Sequence, residues 1–190
     1  MPFTDEQLML RLKADGDRQA FNALVERYRD RIVSYACRMV GSAELAQDVA
    51  QEAFVRVYKS AGTFRDDGRF SPWLYKIAGN VCHSERARRA KDALNVNFDA
   101  LEDTHDSGEV VEDVVMAKLT AQQLSRGIAK LTEQHKTVLV MHVYQGLTYV
   151  EIGEAIGIPT GTVKSRLFYA IRKLRDVLEI EKDNHESTKF

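Results

Sequence analysis

The sequence predicts an all-α protein made of two small helical domains joined by an acidic flexible linker, the second ending in a helix-turn-helix. Three observations carry this. Apolar residues recur at helical spacing almost everywhere, and the period-2 alternation of strands is hard to find. Between the two helical parts, the stretch NVNFDALEDTHDSGEVVED holds Asp99, Glu102, Asp103, Asp106, Glu109, Glu112 and Asp113 with no Lys or Arg. Further on, EIGEAIGIPTGTVKSRLFYAIRKLR sets two short helical patterns around Gly157, Ile158 and Pro159. With 190 residues, 44% hydrophobic and 29% charged, the chain holds enough apolar side chains to build packed cores.

From Asp5 to about Arg89 the pattern gives several amphipathic helices, and from about Val114 to Leu178 several more. The acidic stretch between them repels itself and stays extended. A helix through Val110 to Leu119 already points toward the second domain. The expected boundaries are residues 1–93, a linker over 94–113, a second domain over 114–182 and a tail over 183–190.

Several classes are set aside by composition. Cys37 and Cys82 stand far apart without CxxC spacing, which suits two small core residues in a reduced compartment rather than a disulfide or a zinc site. The start, MPFTDEQLMLRLKADGD, has no apolar signal core, and no run approaches the roughly 20 apolar residues that cross a bilayer. A soluble, cytoplasmic chain without a metal or cofactor is expected. Its formal net charge of −1 does not suggest a nucleic-acid binder, but a whole-chain balance hides local faces of either sign.

Three helices carry such faces. In SAELAQDVAQEAFVRVYKS, Leu45, Ala46, Val49, Ala50, Ala53 and Val57 fall on one arc, and Asp48, Gln51 and Glu52 on the other, with Glu44 at the margin. That carboxylate-amide stripe repels DNA, so it is either plain solvated surface or a grip for a basic protein. In FRDDGRFSPWLYKIAGNVCHSERARRAK, Ser71 caps a helix with Pro72 at its first position. Trp73, Leu74, Ile77, Ala78 and Val81 form the inner stripe, leaving Tyr75, Lys76, Asn80, His83 and Arg86 outside, with Arg88 and Arg89 near the end. Aromatic and amide groups interleaved with cations suit unpaired bases, which offer a stacking face and a free edge beside a phosphate. The blander alternative is a core Trp73 with a snorkelling Tyr75. His83 beside Cys82 makes no metal pair, because adjacent helical residues diverge by about 100°.

The third helix follows a turn. Thr148 with Glu151 forms a capping box, Gly157 ends the first helix, and Pro159 with Thr160 opens the second. Val163, Leu167, Ala170, Ile171 and Leu174 gather on one side of it. Thr162, Ser165, Arg166, Tyr169, Arg172 and Lys173 gather opposite, with Lys164 among the cations and Phe168 between the faces. A helix with an aliphatic inside and hydroxyls and cations outside fits a major groove. A dimeric helix-turn-helix regulator would use the same unit on symmetric half-sites. An enzyme would need a convergent acid, base or ligand set; Asp48 with Glu52 is the single candidate pair, and no HxxxH, paired-cysteine, Walker or Ser-His-Asp arrangement stands in the sequence.

These helices in this order resemble the extracytoplasmic-function (ECF) group of bacterial RNA polymerase sigma factors. The resemblance runs from about Asp17 to Leu178 and rests on AFNALVERYRDRIVSYACRMVGSAELAQDVAQEAFVRVYKS, FRDDGRFSPWLYKIAGNVCHSERARR and LTEQHKTVLVMHVYQGLTYVEIGEAIGIPTGTVKSRLFYAIRKLR. It implies sigma region 2 followed by region 4, with the linker running through the polymerase. It implies that Asp48, Gln51 and Glu52 grip the clamp of the largest polymerase subunit and that the second domain meets the flap. Tyr75 to Arg89, including Lys76, Asn80, His83 and Arg86, correspond to the helix that reads and melts the minus-10 element. The Phe64 to Phe70 loop corresponds to a pocket for a flipped base, with Asn80 nearby. Thr162, Lys164, Ser165, Arg166, Phe168, Tyr169, Arg172 and Lys173 correspond to the minus-35 reading face. A stress or envelope-type regulon and an anti-sigma partner, packed between the domains over the Asp48 stripe, are further implications. Gly79 stands where Ala is usual in the family, and Pro72 follows Ser71 where Thr is common.

Overall fold

A computed structural model describes residues 3–95 and 123–186, with side chains over 3–92 and 123–176. The acidic linker from residue 96 onward and the Val110 to Leu119 segment lie outside the described residues. Among those described, every regular element is helical.

The first half is a bundle of four helices whose ends follow local chemistry. α1 (Asp5–Asp15) starts at a capping box, in which the Gln7 N–H donates to Thr4 Oγ1 at 3.2 Å and the Thr4 N–H to Gln7 Oε1 at 2.9 Å. It stops at Gly16, in the left-handed region at φ 64°. α2 (Arg18–Val40) is capped by Asp17, whose carboxylate accepts from the Gln19 and Ala20 N–H groups. α3 (Ala43–Lys59) is capped by Ser42 and leads through a short 3-10 turn, Ala61–Thr63, to α4 (Phe70–Asn95). Met9, Leu24, Ile32, Tyr35, Ala46, Ala53, Val57, Phe64, Phe70 and Leu74 fill the core between these helices.

The start of α4 differs from the expectation. The helix begins at Phe70, so Ser71 and Pro72 lie inside its first turn. The cap comes from another helix instead: the Phe70 N–H donates to Glu6 Oε1 at 3.2 Å. A proline is still tolerated there, because first-turn N–H groups have no partner within the helix.

Among the described residues, the second half begins within a helix over 123–129 (α5), followed by α6 (Glu133–Leu139), which runs on into one π-helical turn, Val140–Tyr144. α7 (Tyr149–Ile156) and α8 (Thr160–Glu186) follow. Thr148 and Glu151 form the expected capping box, and Gly157 ends α7 at φ 71°. Ile128, Val138, Leu139, Met141, Ile152, Val163 and Leu167 make the core. The two halves pack directly on each other, α7 against α4 and the π turn against α2.

Candidate nucleic-acid and polymerase interfaces

On α8 the two-faced pattern is realised in space. Val163, Leu167 and Ala170 are buried against the second-half core, while Lys164, Ser165, Phe168, Tyr169, Arg172 and Lys173 are exposed. Phe168 and Tyr169 are 62% and 54% exposed, large apolar surfaces that folding alone does not require. Thr162 and Arg166 are half-buried. Ser165 Oγ donates to the Thr162 carbonyl at 3.0 Å, which turns it partly back onto its own helix. Ile171 departs from the expected inner stripe and is 43% exposed. At about 100° per residue it stands roughly 80° from Val163, at the edge of the arc that the core covers.

The turn between α7 and α8 depends on Gly153, which the sequence pattern does not single out. A Cβ at that position would stand 2.8 Å from the Ile158 carbonyl oxygen. The Gly153 carbonyl in turn accepts from both the Gly157 and Ile158 N–H groups, at 2.9 and 3.1 Å. This close return of the chain sets the angle at which α8 leaves α7.

On α3, Asp48, Gln51 and Glu52 are all exposed. Glu52 is not a free charge, since it holds Arg56 one turn on at 2.7 Å. Asp48 and Glu52 overlook a cleft between α3 and α4 that Ser84, Glu85 and Arg88 also line. Gln51 sits on the opposite flank of the ridge, at the rim of an apolar groove of about 730 Å³ between α2 and α3, lined by Phe21, Val25, Phe54 and Tyr58.

The outer face of α4 is divided. Lys76, Asn80, His83 and Arg86 are exposed, but Tyr75, expected beside them, is fully buried. The second half lies over it, and its hydroxyl donates to Gln145 Oε1 at 2.8 Å. Burial pushes that hydroxyl up to about 12, against the opposing pull of Arg31. Arg86 pairs with Glu133 of α6. Arg88 is held by Glu85 at 2.7 Å and Asp92 at 3.2 Å, and Arg89 stands 3.8 Å from Glu85. The Arg88 guanidinium holds the Glu85 carboxyl below the usual range. The basic end of α4 is therefore partly neutralised from within.

Tyr75, Lys76, Asn80 and His83 share a cavity of about 420 Å³ with Arg166 of α8, so the structure brings members of two expected DNA faces to one seam. The Phe64 to Phe70 loop is tied to α1, where Lys13 Nζ donates to the Phe64 carbonyl at 2.8 Å and to Asp66 at 2.6 Å. Phe64 packs edge-on against Trp73 with ring centroids 5.4 Å apart. Asn80 also lines a small cleft with Arg56, Lys59, Ser60 and Ile77. Cys37 and Cys82 are both free thiols, and burial pushes the Cys82 thiol up to about 12. Among the described residues, no group of three or more His, Cys, Asp or Glu side chains is placed to hold a metal, and no helix is long and apolar enough to cross a membrane.

The first half is thus a four-helix bundle with an acidic ridge, and the second carries a helix-turn-helix whose outer helix presents cations. Sigma-70 region 2 matches residues 24–92, and Sigma-70, region 4 matches residues 127–176. The RNA polymerase sigma-H factor of Pseudomonas aeruginosa is 35% identical over 182 residues, covering 92% of this chain and 94% of that protein. The ECF RNA polymerase sigma factor SigW of Bacillus subtilis is 35% identical over 171 residues, covering 86% of this chain and 91% of that one. A solved sigma factor, RpoE of Bartonella quintana in complex with the anti-sigma factor NepR, shares the fold at a TM-score of 0.66 and 17% identity, over 85% of this chain and 98% of that one. The chain belongs to the ECF group of RNA polymerase sigma factors.

Proposed function

We propose that this sigma factor uses its three helical faces for three separate contacts. Asp48, Gln51 and Glu52 take the clamp of the largest polymerase subunit, the second half meets the flap, and α4 and α8 take promoter DNA. On α4, Tyr75, Lys76, Asn80, His83 and Arg86 serve minus-10 reading and melting. On α8, Thr162, Lys164, Ser165, Arg166, Phe168, Tyr169, Arg172 and Lys173 serve minus-35 reading. The observation that carries this reading is the exposed outer face of α8, where cations, a hydroxyl and two aromatic rings stand over the buried anchors Val163, Leu167 and Ala170. Residues 1–93 and 114–182 form the two working domains, with 94–113 as tether and 183–190 as tail.

The protein acts in the cytoplasm without catalysis of its own and without metal or cofactor, and it serves a stress or envelope-type regulon. An anti-sigma protein holds it inactive by covering the Asp48 ridge and part of the second half. Direct packing of α7 on α4 means that a partner inserted between the halves would have to part them first.

The test is reconstitution. Specific initiation from a promoter library should require both core polymerase and this chain, whereas a dimeric regulator would bind symmetric half-sites without polymerase. Reversing Asp48 and Glu52 to Lys should abolish association with core polymerase while leaving helicity nearly unchanged, because exposed charges contribute little to folding. Unchanged holoenzyme formation on gel filtration would remove the clamp assignment.

A further inference from the structure

α1 holds the loop ahead of α4 at both of its ends. At the first end, Lys13 Nζ donates to the Phe64 carbonyl at 2.8 Å and to Asp66 Oδ1 at 2.6 Å. At the other, Glu6 Oε1 accepts from the Phe70 N–H at 3.2 Å. Glu6 and Lys13 stand seven residues apart, close to two helical turns, so they lie on one face of α1 about 10 Å apart along its axis. One helix thus spans the mouth of the loop.

α1 is itself fixed to the rest of the bundle. Leu8, Met9 and Leu12 are buried in the core. Near its start Asp5 accepts from Arg27 and Tyr28 of α2, each at 2.6 Å, and near its end Arg11 pairs with Asp17, the cap of α2, at 2.7 Å. Within the loop the Gly68 N–H donates to the Arg65 carbonyl at 2.9 Å, and a Cβ on Gly68 would stand 3.0 Å from that same oxygen. Arg65 in turn holds Asp67 through two N–H groups, at 3.1 and 3.0 Å. Phe64 and Phe70 are buried, while Arg65, Asp66, Asp67 and Arg69 between them are exposed. An exposed loop ordinarily samples many conformations, and fixing each residue on binding costs entropy. Here the ordering precedes binding, an arrangement that favours a ligand of fixed shape.

The loop also enters α4 in line with its exposed face. Arg69 precedes Lys76 by seven residues and His83 by fourteen, so at about 100° per residue the three return close to one line, with Asn80 beside it. We infer that Glu6 and Lys13 are positioning residues for minus-10 selection: without touching DNA, they hold the 64–70 loop in the shape it presents beside Lys76 and Asn80. This rests on the assignment of α4 to minus-10 DNA. The Lys13 and Asp66 side chains are 30% and 75% exposed, and an ion pair so open to water adds little to folding. Its effect lies in where it puts the loop. Glu6 acts on the same loop from its far end, because capping Phe70 from another helix fixes the point at which α4 begins.

The test uses holoenzyme assembled from core polymerase and the full chain, transcribing a promoter library randomised across the minus-10 element. Lys13→Met and Glu6→Met remove the donor and the acceptor while keeping a helix-forming side chain of similar length, whereas Lys13→Arg and Glu6→Gln keep the hydrogen-bonding groups. In the Met variants base preference should fall roughly tenfold at the positions that meet the loop, the scale of a single mismatched pair, with preference elsewhere in minus-10 and at minus-35 retained. Amide hydrogen exchange over residues 64–70 of the free chain should quicken in the same variants, and Lys13→Arg and Glu6→Gln should return both readouts toward wild type. Unchanged preference in both Met variants, an even loss at every position, or a loop that exchanges at the wild-type rate overturns the positioning role. Lys76→Ala and Asn80→Ala separate this from the α4 assignment. If they too leave minus-10 preference unchanged, the α4 assignment fails; if they alter it while the Met variants do not, only the role of α1 fails.

Discussion

Gly153 and the Ile158 carbonyl oxygen are so close that a Cβ on Gly153 would stand 2.8 Å from that oxygen. Alanine normally favours a helix over glycine by about 1 kcal/mol. Here the atom it meets is backbone, which cannot rotate away, and overpacking costs about 1–3 kcal/mol. Gly153→Ala is therefore expected to lower the stability of the second half in urea titration and to weaken minus-35 binding through a changed α8 angle. Gly79→Ala is the contrast: its Cβ would stand 3.4 Å from Tyr35 Oη, at the edge of ordinary contact, so the helix gain of up to about 1 kcal/mol is kept and the variant should be neutral or stabilised.

The outer face of α8 predicts two kinds of loss. Arg172→Ala and Lys173→Ala should weaken binding to all sequences and each reduce the salt slope by about 1, as expected for phosphate contacts. Ser165→Ala and Arg166→Ala should instead relax base preference at individual minus-35 positions. Fluorescence anisotropy across a salt series, with matched and substituted promoters, distinguishes the two. Retained minus-35 dependence in all four variants would remove the reading face.

Leu167 anchors α8 from the inside at 5% exposure. Leu167→Ala should cost about 2–5 kcal/mol through lost burial and the cavity left behind. Leu167→Asp places a carboxylate there without a partner and should unfold the second half, seen as lost helical ellipticity. Phe168→Ala, one residue on and exposed, should leave stability within about 0.5 kcal/mol of wild type and act on promoter binding alone.

Asp17 gives a pH signature. The Ala20 N–H, then the Gln19 N–H and the Arg11 guanidinium, hold its carboxyl below the usual range despite some opposing desolvation. A carboxylate lowered in the folded state stabilises fully above its unfolded value and loses that contribution as pH falls through the folded value. Asp17→Ala should thus lower the melting temperature at neutral pH, and the difference from wild type should shrink on acidification below the ordinary aspartate range.

Local signals were legible and distant ones were not. The Thr148–Glu151 box and the Gly157 stop lie within a few residues of what they control, so the sequence displays them directly. The inner stripe of α8 follows from helix period alone, except at Ile171, where an edge position depends on how far the neighbouring helices reach. Tyr75 is different in kind. Its partner Gln145 stands 70 residues along the chain, and a tyrosine among cations on a helix looks identical whether solvent or another domain covers it. Gln145 itself carries no sequence signal, because a glutamine just before a glycine at a helix end is ordinary solvated chemistry. The start of α4 escapes the local pattern for the same reason, its cap coming from Glu6 across the bundle.

The π turn at Val140–Tyr144 holds one residue more than an α-helical turn of the same span. Deleting a single residue there would let α6 close its ladder in α register, whereas a deletion within α7 or α8 would rotate a buried stripe into water. The turn is thus a place where the second half accepts a shortened chain, and the residue that loses its orientation is Gln145. Length variation at this point would tune the grip between the halves while leaving α8 in phase.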